Sequence, residues 1–165
     1  MKSEYHTSRL LLTELSLTDA AFIKELVNTP GWIRFIGERN VKTAEEAVQY
    51  VQKIINDNTI NYWVVKLQAE KIAVGVISFI KRDYLPHHDI GFAFLPQYQG
   101  RGYAYEAAAE VLKHVLQDTA HPLVLATTLK DNIDSIRLLE KLGFHVSSEI
   151  KVQNEDLLVH VIAAP

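Results

Sequence analysis

The stretch FLPQYQGRGYA, residues 94–104, limits what this chain can fold into more than any other. An apolar run ends at a proline, and Gly100 and Gly102 then stand one residue apart. They immediately precede Ala104, Ala107, Ala108, Val111, Leu112, Val115 and Leu116, whose spacing describes one face of a helix. Glycine inside a helix costs about 1 kcal/mol relative to alanine. A pair at the helix mouth therefore marks either a tight turn or a place where something approaches the main chain closely. A strand that runs through such a turn into a helix gathers free N–H groups and the positive helix end at one point, which suits a phosphate or pyrophosphate. Arg101, between the glycines, adds a charge-assisted donor. No Lys-Ser/Thr follows, which excludes a nucleotide P-loop, and Tyr105 stands where a dinucleotide fingerprint wants a third Gly or Ala.

Around this stretch the pattern alternates. Arg9 to Leu15 reads as a strand, and Ser16-Leu17-Thr18-Asp19 as a capping box opening a helix to Asn28. Pro30-Gly31 reads as a break, followed by the short apolar piece WIRFIG, and Thr43-Ala44-Glu45-Glu46 opens a second helix through Ile55. Tyr62–Gln68 and Ile72–Lys81 read as a hairpin, and Asp89–Leu95 as a strand buried on both faces. Leu123–Leu129 is a strand, Asn132–Leu142 a helix capped by Gly143, and Val146–Ile150 and Leu157–Ala163 complete the sheet. The order is seven strands and four helices in one mixed α/β domain over residues 1–165, with strand–helix–strand alternation in the second half implying parallel neighbours.

A formal net charge of −3 gives no global attraction for nucleic acid or an anionic membrane, so an anionic ligand must be held by local arrangement. Cysteine is absent, which removes disulfides, thiolate metal sites and any cysteine-bound acyl intermediate, and fits a cytoplasmic location. The N-terminal MKSEYHTSRLLLTEL is too polar for a signal peptide or anchor. His87-His88 point to opposite sides of an extended segment and read as solvated loop residues, so no metal is expected. The last strand either closes the sheet or pairs with a second copy, leaving monomer and homodimer both open.

Gln97-Tyr98-Gln99-Gly100-Arg101-Gly102 resembles the Q/R-x-x-G-x-G/A signature of the GNAT superfamily of acetyl-CoA-dependent N-acetyltransferases. SRLLLTEL, GYAYEAA and DNIDSIRLLEKLGF are similar to its branch containing the ribosomal-protein N-terminal acetyltransferases, and the resemblance spans Ser8 to Phe144. It implies a mixed, mostly antiparallel twisted sheet flanked by helices, with one splayed parallel strand pair.

By this resemblance Gln97, Gln99, Gly100, Arg101, Gly102, Tyr103 and Ala104 hold the pyrophosphate of coenzyme A. Phe92, Ala93, Phe94 and Leu95 offer backbone groups to the pantetheine arm as an added strand would. Asn132 hydrogen-bonds that arm, Ser135 lies near the thioester sulfur as proton donor, and Lys141, with Lys130 and Arg137, adds positive charge at the nucleotide end. On the residues alone Asn132 reads first as a helix cap and Ser135 as a solvent hydroxyl in the first turn, and Lys130, Arg137 and Lys141 read equally as a solvated helix face. Asp89 is the best-placed carboxylate for a general base acting through water, with a surface aspartate as its alternative. Trp32, Phe35, Glu38 and Arg39 fall where the family builds its acceptor pocket.

The resemblance thus implies transfer of acetyl from acetyl-CoA to an amine acceptor, a protein N-terminus or a small molecule, and the lack of cysteine favours direct transfer in a ternary complex. A non-catalytic acyl-CoA-binding sensor that uses the same cleft is the rival reading.

Overall fold

The structure, a computed structural model, describes all of residues 1–165. Its strands are β1 (Glu4–His6), β2 (Leu10–Glu14), β3 (Ile60–Leu67), β4 (Ala73–Ile80), β5 (Asp89–Phe94), β6 (Leu123–Leu129), β7 (His145–Val152) and β8 (Glu155–Ala163). They form one eight-stranded sheet in the order β1-β2-β3-β4-β5-β6-β8-β7. Every neighbouring pair is antiparallel except β5 and β6. The helices are α1 (Ala20–Val27), α2 (Pro30–Phe35), α3 (Ala44–Asn56), α4 (Tyr103–Val115) and α5 (Ile133–Lys141).

Two elements exceed the sequence expectation of seven strands and four helices. β1 has only three residues, too few to display a period, and is fixed by pairing Tyr5 opposite Leu12 with Tyr5 buried. Pro30-Gly31 does not break the chain but starts α2. The Thr29 hydroxyl accepts the Trp32 N–H at 3.4 Å, and Pro30 occupies the first turn, where its missing N–H has no helical partner to lose. The final strand, β8, lies between β6 and β7 and so has no free edge; the edge belongs to the largely exposed β7.

The sheet separates two apolar layers because alternate side chains leave a strand on opposite faces. On β3, Trp63 and Val65 face the α4 side, and Val64 the α1–α3 side. Ala107, Ala108, Val111, Leu112 and Val115 of α4 are buried with Leu10, Leu12, Trp63 and Phe79. Ile23, Leu26 and Val27 of α1 and Ala47 and Val51 of α3 pack with Val64 and Val76. Each such large aliphatic side chain contributes about 1.5–3 kcal/mol by leaving water.

One feature of the sheet sets the position of the site. β5 pairs with β4 along its whole length, from Asp89 opposite Ile80 to Phe94 opposite Gly75, and the Leu95 N–H continues to Val74 O at 2.9 Å. A Cβ on Gly75 would stand 2.4 Å from the Phe94 ring, so glycine there lets the ring lie on β4. β6 is equally committed to β8, from Leu123 opposite Ala163 to Leu129 opposite Leu157. Between β5 and β6 only Asp89 and Leu125 are paired, with the Leu125 N–H on His88 O at 3.0 Å. Beyond that point the two strands part. The parting also explains why Gly91, Phe92 and Ala93 are half-buried, although the sequence suggested a strand covered on both faces.

Candidate active site

The open end of the gap meets the glycine turn. After Phe94 the chain makes a 3-10 turn over Pro96–Tyr98, then takes positive φ at Gly100 (73°) and Gly102 (81°) before α4 begins. Gln99 anchors the turn from inside, its Nε2 donating to Phe94 O at 3.0 Å. The first helical N–H to find a carbonyl is that of Glu106, on Gly102 O at 3.0 Å, so the N–H groups of residues 100–105 have no backbone acceptor. A Cβ at Gly100 would meet nothing within 4 Å, whereas one at Gly102 would lie 3.3 Å from Arg9 Nη2.

Arg9 belongs to a strap across the turn. The Glu106 carboxylate accepts from Thr7 Oγ1 (2.5 Å), the Arg9 N–H (3.0 Å) and Arg9 Nε (2.7 Å), while Arg9 Nη1 donates to Arg101 O at 3.0 Å. The Arg9 guanidinium also lies 4.5 Å from the Tyr103 ring centroid. Burial alone would raise the Glu106 pKa, but the bonds from Thr7 and Arg9 outweigh it and hold the carboxyl below its ordinary value.

At the other lip of the gap, Asn132 caps α5, its Oδ1 accepting the N–H of half-buried Ser135 at 3.4 Å. Lys141 sets its ammonium 4.3 Å from the ring centroid of Tyr105, in the first turn of α4. Lys130, by contrast, is drawn to Glu149 at 2.8 Å. At the closed end sits Asp89. It is buried, not a surface aspartate, and Arg82 Nε lies 3.0 Å from each of its carboxylate oxygens. Burial raises its pKa, and the guanidinium only partly offsets this. His88 departs from the solvated expectation: its ring stacks on Phe79 at 4.8 Å, with His121 edge-on at 4.7 Å.

Ile90 and Phe94 of β5 face the α4 layer, while Ala93 and Leu95 join the α1–α3 layer, so Asp89 and Gly91 present to the latter side by strand alternation. There α2 and the segment after it carry Trp32, buried, with the Arg39 guanidinium 5.8 Å from its ring. Phe35 lies under Arg34 at 4.7 Å, and Glu38 pairs with Lys42 at 2.9 Å. Arg34 in turn reaches Asp131, before α5, at 3.1 Å and so joins α2 to the far lip of the gap.

The family model for the acetyltransferase (GNAT) domain matches residues 9–145. The chain belongs to the GNAT family of acetyltransferases. The uncharacterized N-acetyltransferase YnaD of Bacillus subtilis (strain 168) is 34% identical over 139 residues, covering 83% of this chain and 79% of that protein. A GNAT-family acetyltransferase of Bacillus anthracis superposes with a TM-score of 0.82 at 27% identity, over 98% of each chain. A spermidine N-acetyltransferase of Vibrio cholerae, solved with CoA and spermine, shares the fold at a TM-score of 0.80 and 22% identity, covering 96% of this chain and 97% of that one. Acetyl transfer is the chemistry of this family. The finer ribosomal-protein branch is not singled out by these likenesses.

Within this GNAT frame, Phe92–Leu95, Gln97, Gln99–Ala104, Asn132 and Ser135 all border one gap and its mouth. Glu38 instead meets Lys42. Sequence reading missed the Thr7–Arg9–Glu106 strap and Arg82. Arg9 and Glu106 lie 97 positions apart, and only the fold brings them together.

Proposed function

We propose that the chain moves the acetyl group of acetyl-CoA to a primary amine, on a protein N-terminus or a small molecule. The observation that carries this is the parting of β5 from β6 beside a turn whose N–H groups lack acceptors. Those groups, the open space at Gly100 and the unpaired edges of the two strands fit coenzyme A. Gln97, Gln99–Ala104 and Lys141 would hold its phosphate end, and Phe92–Leu95 and Asn132 its pantetheine arm. Bound acetyl-CoA supplies an activated thioester.

The chain's own residues then have three tasks. The acceptor ammonium must lose a proton. Asp89, buried and raised in pKa, suits a base at the end of a chain of waters, since it lies five residues, roughly 17 Å, along β5 from Phe94. A backbone N–H near Phe94 donates to the oxygen that gains charge, an effect worth about 3–4 kcal/mol where single donors have been removed. Ser135 gives a proton to the leaving sulfur and is reprotonated, through water, by the second proton that the nitrogen sheds as the amide forms. With no cysteine to carry the acetyl group between two half-reactions, transfer is direct: the amine nitrogen bonds the acetyl carbon as the carbon–sulfur bond breaks. Holding both partners in place supplies much of the rate.

The test is free-thiol release from acetyl-CoA by the purified protein across a panel of amines. Saturable acceptor-dependent release supports the reading. Tight CoA binding with no release on a broad panel supports the sensor instead.

A further inference from the structure

On the α1–α3 face, sheet register lines up Tyr62 of β3, Ser78 of β4 and Gly91 of β5 across adjacent strands. Side chains shrink along this row toward the gap. A Cβ on Gly91 would stand 2.7 Å from Ser78 Oγ, so glycine keeps the row low beside the place where β5 and β6 part. At its far end the Tyr62 hydroxyl is buried without a hydrogen-bond partner, and so is Trp32 Nε1 in the same packed layer. Burying such a donor unpaired costs about 1–3 kcal/mol, so two in one layer call for an oxygen that is not part of the chain.

The charges on this side agree in sign. Asp89 is held by Arg82, Glu38 by Lys42 and Asp131 by Arg34. Arg39 enters no ion pair; it lies over the Trp32 ring, and its Nη1 would be 3.2 Å from a Cβ on Gly37. An exposed cation over an aromatic face is held by only about 0.5–1 kcal/mol, so Arg39 is free to turn toward a ligand and uncover the indole N–H. The same guanidinium favours ionisation of Tyr62, although burial dominates and raises that hydroxyl's pKa. Around Trp32 this side thus offers two neutral donors and a cation outside any ion pair, while Asp89, Glu38 and Asp131 are each held by a cation.

We propose that Trp32 Nε1, the Tyr62 hydroxyl and Arg39 form a subsite for a carboxylate on the acceptor, so that the preferred substrate is an amino carboxylic acid and not a polyamine. This rests on the acetyltransferase reading above and names its substrate class. Polyamines carry several positive charges and would meet Arg39, while the carboxylates of Asp89, Glu38 and Asp131 are already held by cations.

The experiment compares matched acceptors of one carbon skeleton: the amino acid, its carboxamide, the plain alkylamine and the diamine. For each, thiol release and binding to the CoA-loaded protein by calorimetry are both measured. The amino acid should exceed its carboxamide by about tenfold or more in kcat/KM, as expected where a built polar site loses its partner. Arg39→Gln should shrink that ratio at least about fivefold, chiefly through KM, and Tyr62→Phe should lower the preference of acid and amide over the alkylamine. A diamine preference, or an equal loss on all four acceptors in both variants, overturns the subsite. If none of the four releases thiol, calorimetry still decides: binding of the amino acid that weakens in Arg39→Gln keeps the subsite while ending the transfer reading, and no binding overturns it.

Discussion

The two sides of the gap are built from different materials. The side proposed for the cofactor is made of main chain: a turn at positive φ, six N–H groups without backbone acceptors, and strand edges without a neighbour. The side proposed for the acceptor is made of side chains drawn from separate elements, among them Asp89 on Arg82, Trp32 under Arg39 and Tyr62 in the packed layer. A main-chain site constrains backbone conformation and leaves a glycine pattern behind. A side-chain site depends on which distant residues meet. The two should fail differently when damaged.

The largest effect belongs to the acceptor side. Asp89→Asn should lower kcat by about 100-fold or more near neutral pH, the usual worth of a positioned general base, with CoA affinity little changed. Because burial raises the Asp89 pKa, the acid limb of the wild-type rate profile should lie above the ordinary aspartate range. The base is active only above that raised pKa, and is dispensable once the acceptor amine deprotonates by itself. Variant and wild type should therefore diverge at neutral pH and converge at high pH. Parallel profiles would remove Asp89 from the chemistry and leave its pair with Arg82 purely structural.

Next comes the cofactor side. Gly100→Val puts a branched side chain into open space at φ 73°, at a backbone strain of about 1–2 kcal/mol. The fold survives that. The approach of a diphosphate does not: losing two charge-assisted N–H contacts costs roughly 3 kcal/mol, a factor of about 100 in CoA affinity by calorimetry. Unchanged affinity would show that the turn is only a turn.

This contrast also explains what the sequence disclosed. The glycine turn and the helix bearing Asn132 and Ser135 could be read from local pattern, because proline, glycine and apolar period report backbone geometry directly, whereas the parted strand pair came only with the family resemblance. β1 escaped notice because three residues have no period, and α2 because Pro30 looks the same whether it ends one helix or begins the next. Asp89 read as a candidate base with a surface aspartate as its alternative, because nothing near it in sequence announces burial. Arg82, seven positions earlier, has no regular spacing to mark it as the partner.

A smaller effect tests the strap between the β1–β2 link and the turn. Glu106→Gln keeps the shape but removes the charge facing Arg9, so the turn should loosen and CoA affinity should fall about fivefold, near 1 kcal/mol. The sign with pH follows from the lowered Glu106 pKa. Its contribution is complete above the unfolded glutamate value and is lost as pH falls through the depressed folded value. Wild type should therefore show an acid step in affinity below the ordinary glutamate range, and the variant none.

The smallest effect has the opposite sign to the rest. Tyr62→Phe removes a buried hydroxyl that has no partner within the chain and keeps the ring packed among its neighbours. Deleting an unsatisfied buried group should raise stability by about 1 kcal/mol, read as a higher midpoint in urea at unchanged slope. A paired hydroxyl would do the reverse, because its deletion strands the partner. A gain in stability accompanied by weaker acceptor binding would mark Tyr62 as a residue kept for a ligand and not for the fold. Lost stability would mean that the hydroxyl is bridged by water to the chain, and the acceptor side would then resemble the cofactor side in having its polar groups satisfied before anything binds.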